Sequence, residues 1–162
     1  MSIVLLQTDP YCKPLATLEF KDGVFAIGGG KAHRFECEPT EHLVWELENL
    51  AECLKAMAQG KLKEYFETPS RDRMIGPKVG MHLALQCRVG GMDIFCSRRK
   101  VKERPVVDLA IIFEDVCGQA PFEAADLLPI SDQIYEMAVE IFALPNLPFC
   151  EWRDGKTSTT TN

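Results

Sequence analysis

His33, Cys37 and His42 lie within ten residues of one another, and Cys12 can approach them if its strand pairs nearby. Imidazole nitrogens and thiolates in such numbers suit zinc. The spacing His-x3-Cys-x4-His fits no compact ribbon or finger, however, and no Cys-x2-Cys pair occurs in the chain. A thiol nucleophile is the other chemistry on offer, and it needs an exposed, low-pKa cysteine beside an oriented histidine. His82 and Cys87 point to opposite faces of one strand, which leaves Cys96 on the neighbouring strand as the thiol for such a pair. The seven cysteines are odd in number, scattered and mostly set in apolar runs. They read as buried, reduced thiols of a cytoplasmic protein, so the expectation is no catalytic centre, no metal and no cofactor.

Gly28-Gly29-Gly30-Lys31 raises a phosphate-binding loop. That loop requires a glycine five residues before its Gly-Lys and a Ser or Thr after the lysine. Phe25 and Ala32 occupy those positions, and the match fails.

Charge is the most informative feature. Residues 1–104 carry 16 Lys and Arg against 14 Asp and Glu, whereas residues 105–162 carry 2 against 10. Residues 105–152 hold nine carboxylates and neither Lys nor Arg. Within them Asp132, Glu136 and Glu140 recur every fourth residue, which lines them along one side of a helix at steps of about 6 Å. Like charges at this spacing cost a few tenths of a kcal/mol per pair and invite an external cation. Directly upstream, Arg98, Arg99, Lys100, Lys102 and Arg104 form a basic run that reads as a solvated loop between two strands. It can hold phosphates or dock an acidic surface, but it lacks the interleaved aromatic residues of a single-strand nucleic-acid site. The candidate partner-binding residues are therefore Asp126, Asp132, Glu136 and Glu140, with Arg98, Arg99, Lys100 and Lys102.

Two helices have to carry these groups. Residues 40–59 place Leu43, Val44, Leu47, Leu50, Ala51, Leu54, Met57 and Ala58 on one wide apolar stripe, with Thr40 as cap and Gly60 as stop. Trp45 falls on the opposite face among Glu41, Glu48 and Glu52, either packed on a strand or open to a partner. Residues 130–144 form the second helix, with Ser131 as its cap and Ile134, Met137, Ala138 and Ile141 inward.

Around the helices, residues 2–7 read as a strand, too short for a signal-peptide core or a membrane span. Residues 14–37 read as successive strands, with a hairpin at Asp22-Gly23. Residues 61–66 read as a short helical piece and 68–80 as a loop with two prolines and two glycines. Residues 81–89 alternate as a half-buried strand, Gly90-Gly91 turns the chain into 92–97, and 106–113 is apolar on both faces except at Asp108 and therefore central.

The chain thus reads as α+β: antiparallel sheets of about six strands packed against two main helices, in a single domain of residues 1–152 with a disordered polar tail, 153–162. Nothing in it calls for a membrane or for direct nucleic-acid contact. The function expected is a small acidic binding protein that engages and inhibits or neutralises a protein with a basic surface. Inhibitors of nucleic-acid-processing enzymes, anti-defence proteins among them, and toxin-immunity proteins match that description. The alternatives are an acidic secretion chaperone, or an enzyme with a thiol or zinc centre at His33, Cys37, His42 and Cys96.

Overall fold

The computed structural model describes the backbone of residues 2–8, 13–29, 33–61, 74–79, 82–113, 116–153 and 156–159, and the side chains of 16–28, 34–61, 85–113 and 118–149. The chain opens with four strands, β1 (Ser2–Thr8), β2 (Lys13–Lys21), β3 (Val24–Gly29) and β4 (His33–Cys37), paired antiparallel in chain order. Helix α1 (Glu41–Gln59) follows. A second antiparallel meander contains β5 (Met74–Val79), β6 (His82–Val89), β7 (Met92–Val101), β8 (Arg104–Phe113) and β9 (Val116–Glu123). A 3₁₀ turn at Ala124–Asp126 leads into helix α2 (Leu127–Phe142). Strands β10 (Cys150–Arg153) and β11 (Lys156–Thr159) form a hairpin, and β11 falls inside the polar stretch 153–162.

Among the described residues the fold is α+β, with antiparallel sheets and two α-helices. The expected strand count of about six is too low, and the reason is local. Residues 74–79 contain Gly76 and Pro77, yet they pair with β6. The register jumps between Ile75↔Leu85 and Lys78↔Leu83, so the glycine and proline fall in a bulge of an edge strand, where a missing amide donor is tolerated. The strand β9, on the opposite edge, likewise accommodates Pro121. The expected helical piece at 61–66 and the first part of the expected loop lie largely outside the described residues.

Three hairpins have two-residue turns with both central residues at positive φ: Asp22 and Gly23, Gly90 and Gly91, Lys102 and Glu103. This geometry matches the twist of the strands it joins. The third turn corrects the reading of the basic run as a loop, because Arg98, Arg99 and Lys100 lie within β7 and Arg104 opens β8.

Helix α1 forms because its ends and its stripe agree. Thr40 Oγ1 accepts from the Leu43 amide at 3.0 Å, and Gly60 closes the helix at φ 70° with its amide directed to Ala56 and Met57. Leu47, Leu50, Leu54 and Met57 are fully buried against Leu85, Cys87, Ile94 and Leu109 of the five-stranded sheet and share one cluster with Leu18, Phe25 and Ile27 of the four-stranded sheet. Phe35 on β4 meets Phe113 on β8 edge to face, with ring centroids 4.8 Å apart. Helix α2 lies on α1.

Candidate functional site

Helix α2 begins at Leu127, five residues earlier than a cap at Ser131 would place it. Pro129 occupies the third helical position, where the backbone amide has no intrahelical acceptor and its loss costs nothing. Ser131 is consequently no cap. It is 3% exposed, and its hydroxyl donates to the Ala51 carbonyl of α1 at 2.7 Å. The burial of Leu127, Ile134, Met137, Ala138 and Ile141 beside it sets the rotation of the helix, and that bond agrees with it.

The rotation turns Asp132, Glu136 and Glu140 outward, and all three are exposed, as is Asp126 at the helix start. Among the described residues none of the four has a cationic partner. Beside the acidic row runs an apolar one: Tyr135 and Val139 are each 53% exposed and Phe142 is 64% exposed. Sequence reasoning missed this second row. The signal was present, since three large apolar residues spaced four and three apart do not fit the stripe set by Ile134, Met137, Ala138 and Ile141.

Much of the basic run is matched within the protein. Arg98 reaches from β7 to the end of α1, where its Nη1 donates to the Met57 carbonyl at 2.5 Å and to the Ala58 carbonyl at 2.9 Å. Arg99 grips Asp108 with two hydrogen bonds of 2.6 and 3.1 Å, and the pair holds the guanidinium pKa above its ordinary value. Arg104 pairs with Glu123 at 3.1 Å. Lys100 and Lys102 are solvated near the turn. A shallow, open groove of about 280 Å³ lies here between Arg99, Arg104, Pro121 and Phe122, below the usual range for small-molecule sites.

The residues that would serve a zinc or thiol centre occupy different settings. The side chains of Cys12 and His33 lie outside the described residues. Cys96 is buried, its sulfur 3.3 Å from that of Cys53, and the surrounding thiols and burial hold Cys53 far above the ordinary thiol pKa. Cys37 is half-buried, and desolvation followed by the nearby Glu46 carboxylate pushes its thiol up, away from the reactive thiolate. His42 stacks on Trp45, three residues along the same helix, with ring centroids 5.7 Å apart, and the indole is half-buried there. Its Nε2 stands 3.8 Å from Glu46, a carboxyl that sequence reasoning passed over and that burial raises to about 7. Among the described residues no three His, Cys, Asp or Glu side chains gather as metal ligands. No helix among them is long and apolar enough to cross a membrane.

No protein-family model matches the chain, and no curated protein matches it.

Proposed function

We propose that this chain is a small acidic binding protein that engages a basic surface of another protein through α2 and thereby inhibits or neutralises it. The observation that carries this reading is the outward row of Asp132, Glu136 and Glu140, which lacks a cation among the described residues, while Arg98, Arg99 and Arg104 are matched internally. Such a row attracts a basic surface at long range and speeds encounter. Clefts that bind phosphate backbones are basic surfaces of this kind, which favours a nucleic-acid-processing enzyme or a nuclease toxin as the partner.

The test is a pull-down from host lysate, with recovered proteins identified and their association rates measured at several salt concentrations. Asp132→Asn, Glu136→Gln and Glu140→Gln together keep size and polarity while removing three charges. The parent should retain a basic protein that the triple variant captures several-fold more slowly, with the difference fading as the Debye length falls to about 8 Å and below. Unchanged capture by that variant, with loss on Lys100→Ser and Lys102→Ser, would move the contact to the β7–β8 turn and defeat the proposal.

A further inference from the structure

Helix α2 has two apolar stripes. Leu127, Ile134, Met137, Ala138 and Ile141 are buried on α1, and Tyr135, Val139 and Phe142 stand in solvent at i, i+4 and i+7. A surface helix ordinarily has one apolar stripe and a polar remainder. At about 100° per residue, the order around the helix is core stripe, exposed apolar row, acidic row, with Asp132, Glu136 and Glu140 running along the edge of the apolar row farther from the core.

We infer that this face is a seat for an α-helix of another protein, one that is amphipathic and basic: an apolar row at i, i+4 and i+7 bordered on one flank by Lys or Arg. The inference rests on the acidic-face reading above and names the partner element. The acidic row flanks the apolar row of α2 over the same two turns, so a helix laid along it meets both, with apolar side chains interdigitating and cations reaching the carboxylates. Charge decides against the other occupants. Helix α2 contains no Lys or Arg, so a second copy of it brings no cation to Asp132, Glu136 and Glu140 in either orientation. An antiparallel self-pair about a two-fold axis would set each acidic row against its own copy. An anionic membrane surface is repelled by the same row.

The experiment uses the full chain and two synthetic peptides of about 18 residues, long enough to become helical on binding. One arranges Leu at i, i+4 and i+7 with Lys on one flank. The other is a scramble of equal composition that keeps the charge and loses the row. Titration followed by fluorescence anisotropy should give at least about tenfold tighter binding of the patterned peptide, the scale on which central apolar anchors act. Tyr135→Ser, Val139→Ser and Phe142→Ser together should abolish the preference for pattern and leave weak, salt-sensitive binding of both peptides. Because these residues are exposed, the variant should keep the parent's circular dichroism and melting temperature. Asp132→Asn, Glu136→Gln and Glu140→Gln should weaken both peptides at low salt. Equal binding of the two peptides by the parent, abolished by the charge variant, would overturn the helix seat and leave the acidic reading standing. Binding of neither peptide would overturn both. A parent dimer in sedimentation velocity that the apolar triple variant dissolves would assign the face to a second copy and overturn the inference.

Discussion

Glu46 on α1 accepts a hydrogen bond from the Gly90 amide at 3.2 Å, which ties the central helix to the turn between β6 and β7. The same turn is wedged against the four-stranded sheet. A Cβ at Gly90 would lie 2.9 Å from Ile27 Cδ1 and 3.5 Å from Cys37 Sγ, and φ there is 56°. Position 90 is therefore confined to glycine by close approach and by backbone conformation together. Both sheets and α1 converge on this point.

The tie has a pH signature. Glu46 is 7% exposed, and burial raises its pKa to about 7, while the Gly90 amide and then Arg88 pull it down. In the unfolded chain the carboxyl titrates near 4.3. Between these values the folded protein holds the extra proton, so the contribution of Glu46 to stability is intact below about pH 4 and is lost as the pH rises through 7. The loss has an upper bound of about 4 kcal/mol. Glu46→Gln keeps an acceptor for Gly90 and stays neutral. It should match the parent at pH 4 and exceed it at pH 8 in urea denaturation. Burial lowers the pKa of His42, whose contribution has the opposite sign, rising with pH through the imidazole range. The comparison is therefore repeated with His42→Asn. Parallel pH profiles for parent and Glu46→Gln in both backgrounds would refute the linkage.

Two neighbouring arginines of the basic run should differ in what they contribute. Helix α1 has no basic residue in its last turn, and Arg98 supplies that charge from β7 to two carbonyls at the negative end of the helix dipole. Arg98→Met should cost about 1–2 kcal/mol, and Arg98→Lys should recover part of it, because a single ammonium replaces a fork of donors. Arg99 binds Asp108 on the outer face of the sheet, with its side chain 43% exposed, so Arg99→Met should cost about 0–1 kcal/mol. Equal denaturation midpoints for the two Met variants would count against the cap.

What the sequence made legible follows from how local the cause is. The extent of α1, its cap and its stop are written within 21 consecutive residues, and the structure has all three. The Asp22-Gly23 and Gly90-Gly91 turns carry their own glycine signals. Strands β5 and β9 were hidden because Pro77 and Pro121 are permitted only by positions at the sheet edges, which no short window reveals. The Lys102-Glu103 turn uses two residues that seldom adopt positive φ, so Arg98 and Arg99 read as loop. Glu46 looked like an ordinary helical acid, and its burial depends on a turn 44 residues away. The acidic row was legible, whereas the exposure of Tyr135, Val139 and Phe142 depends on which face of α2 meets α1.

Ser131 separates the two accounts of how α2 is set. If it capped the helix, Asp would serve as well as Ser, since both accept hydrogen bonds from first-turn amides. In the structure its hydroxyl instead donates to the Ala51 carbonyl from a site that is 3% exposed. A carboxylate cannot donate, and it would face a carbonyl oxygen in a buried setting. Ser131→Asp should therefore cost several kcal/mol or leave the chain unfolded. Ser131→Ala removes one hydrogen bond and should cost about 1 kcal/mol. Chemical denaturation of the two variants reads the contrast directly, and an Asp variant as stable as the parent would restore the capping role. Because Ala keeps the small volume that lets α2 lie on α1, the outward row of Asp132, Glu136 and Glu140 should stay in place. Peptide binding by Ser131→Ala should then equal that of the parent despite the lower stability, which separates the role of Ser131 in seating the helix from the roles of the side chains that the helix presents.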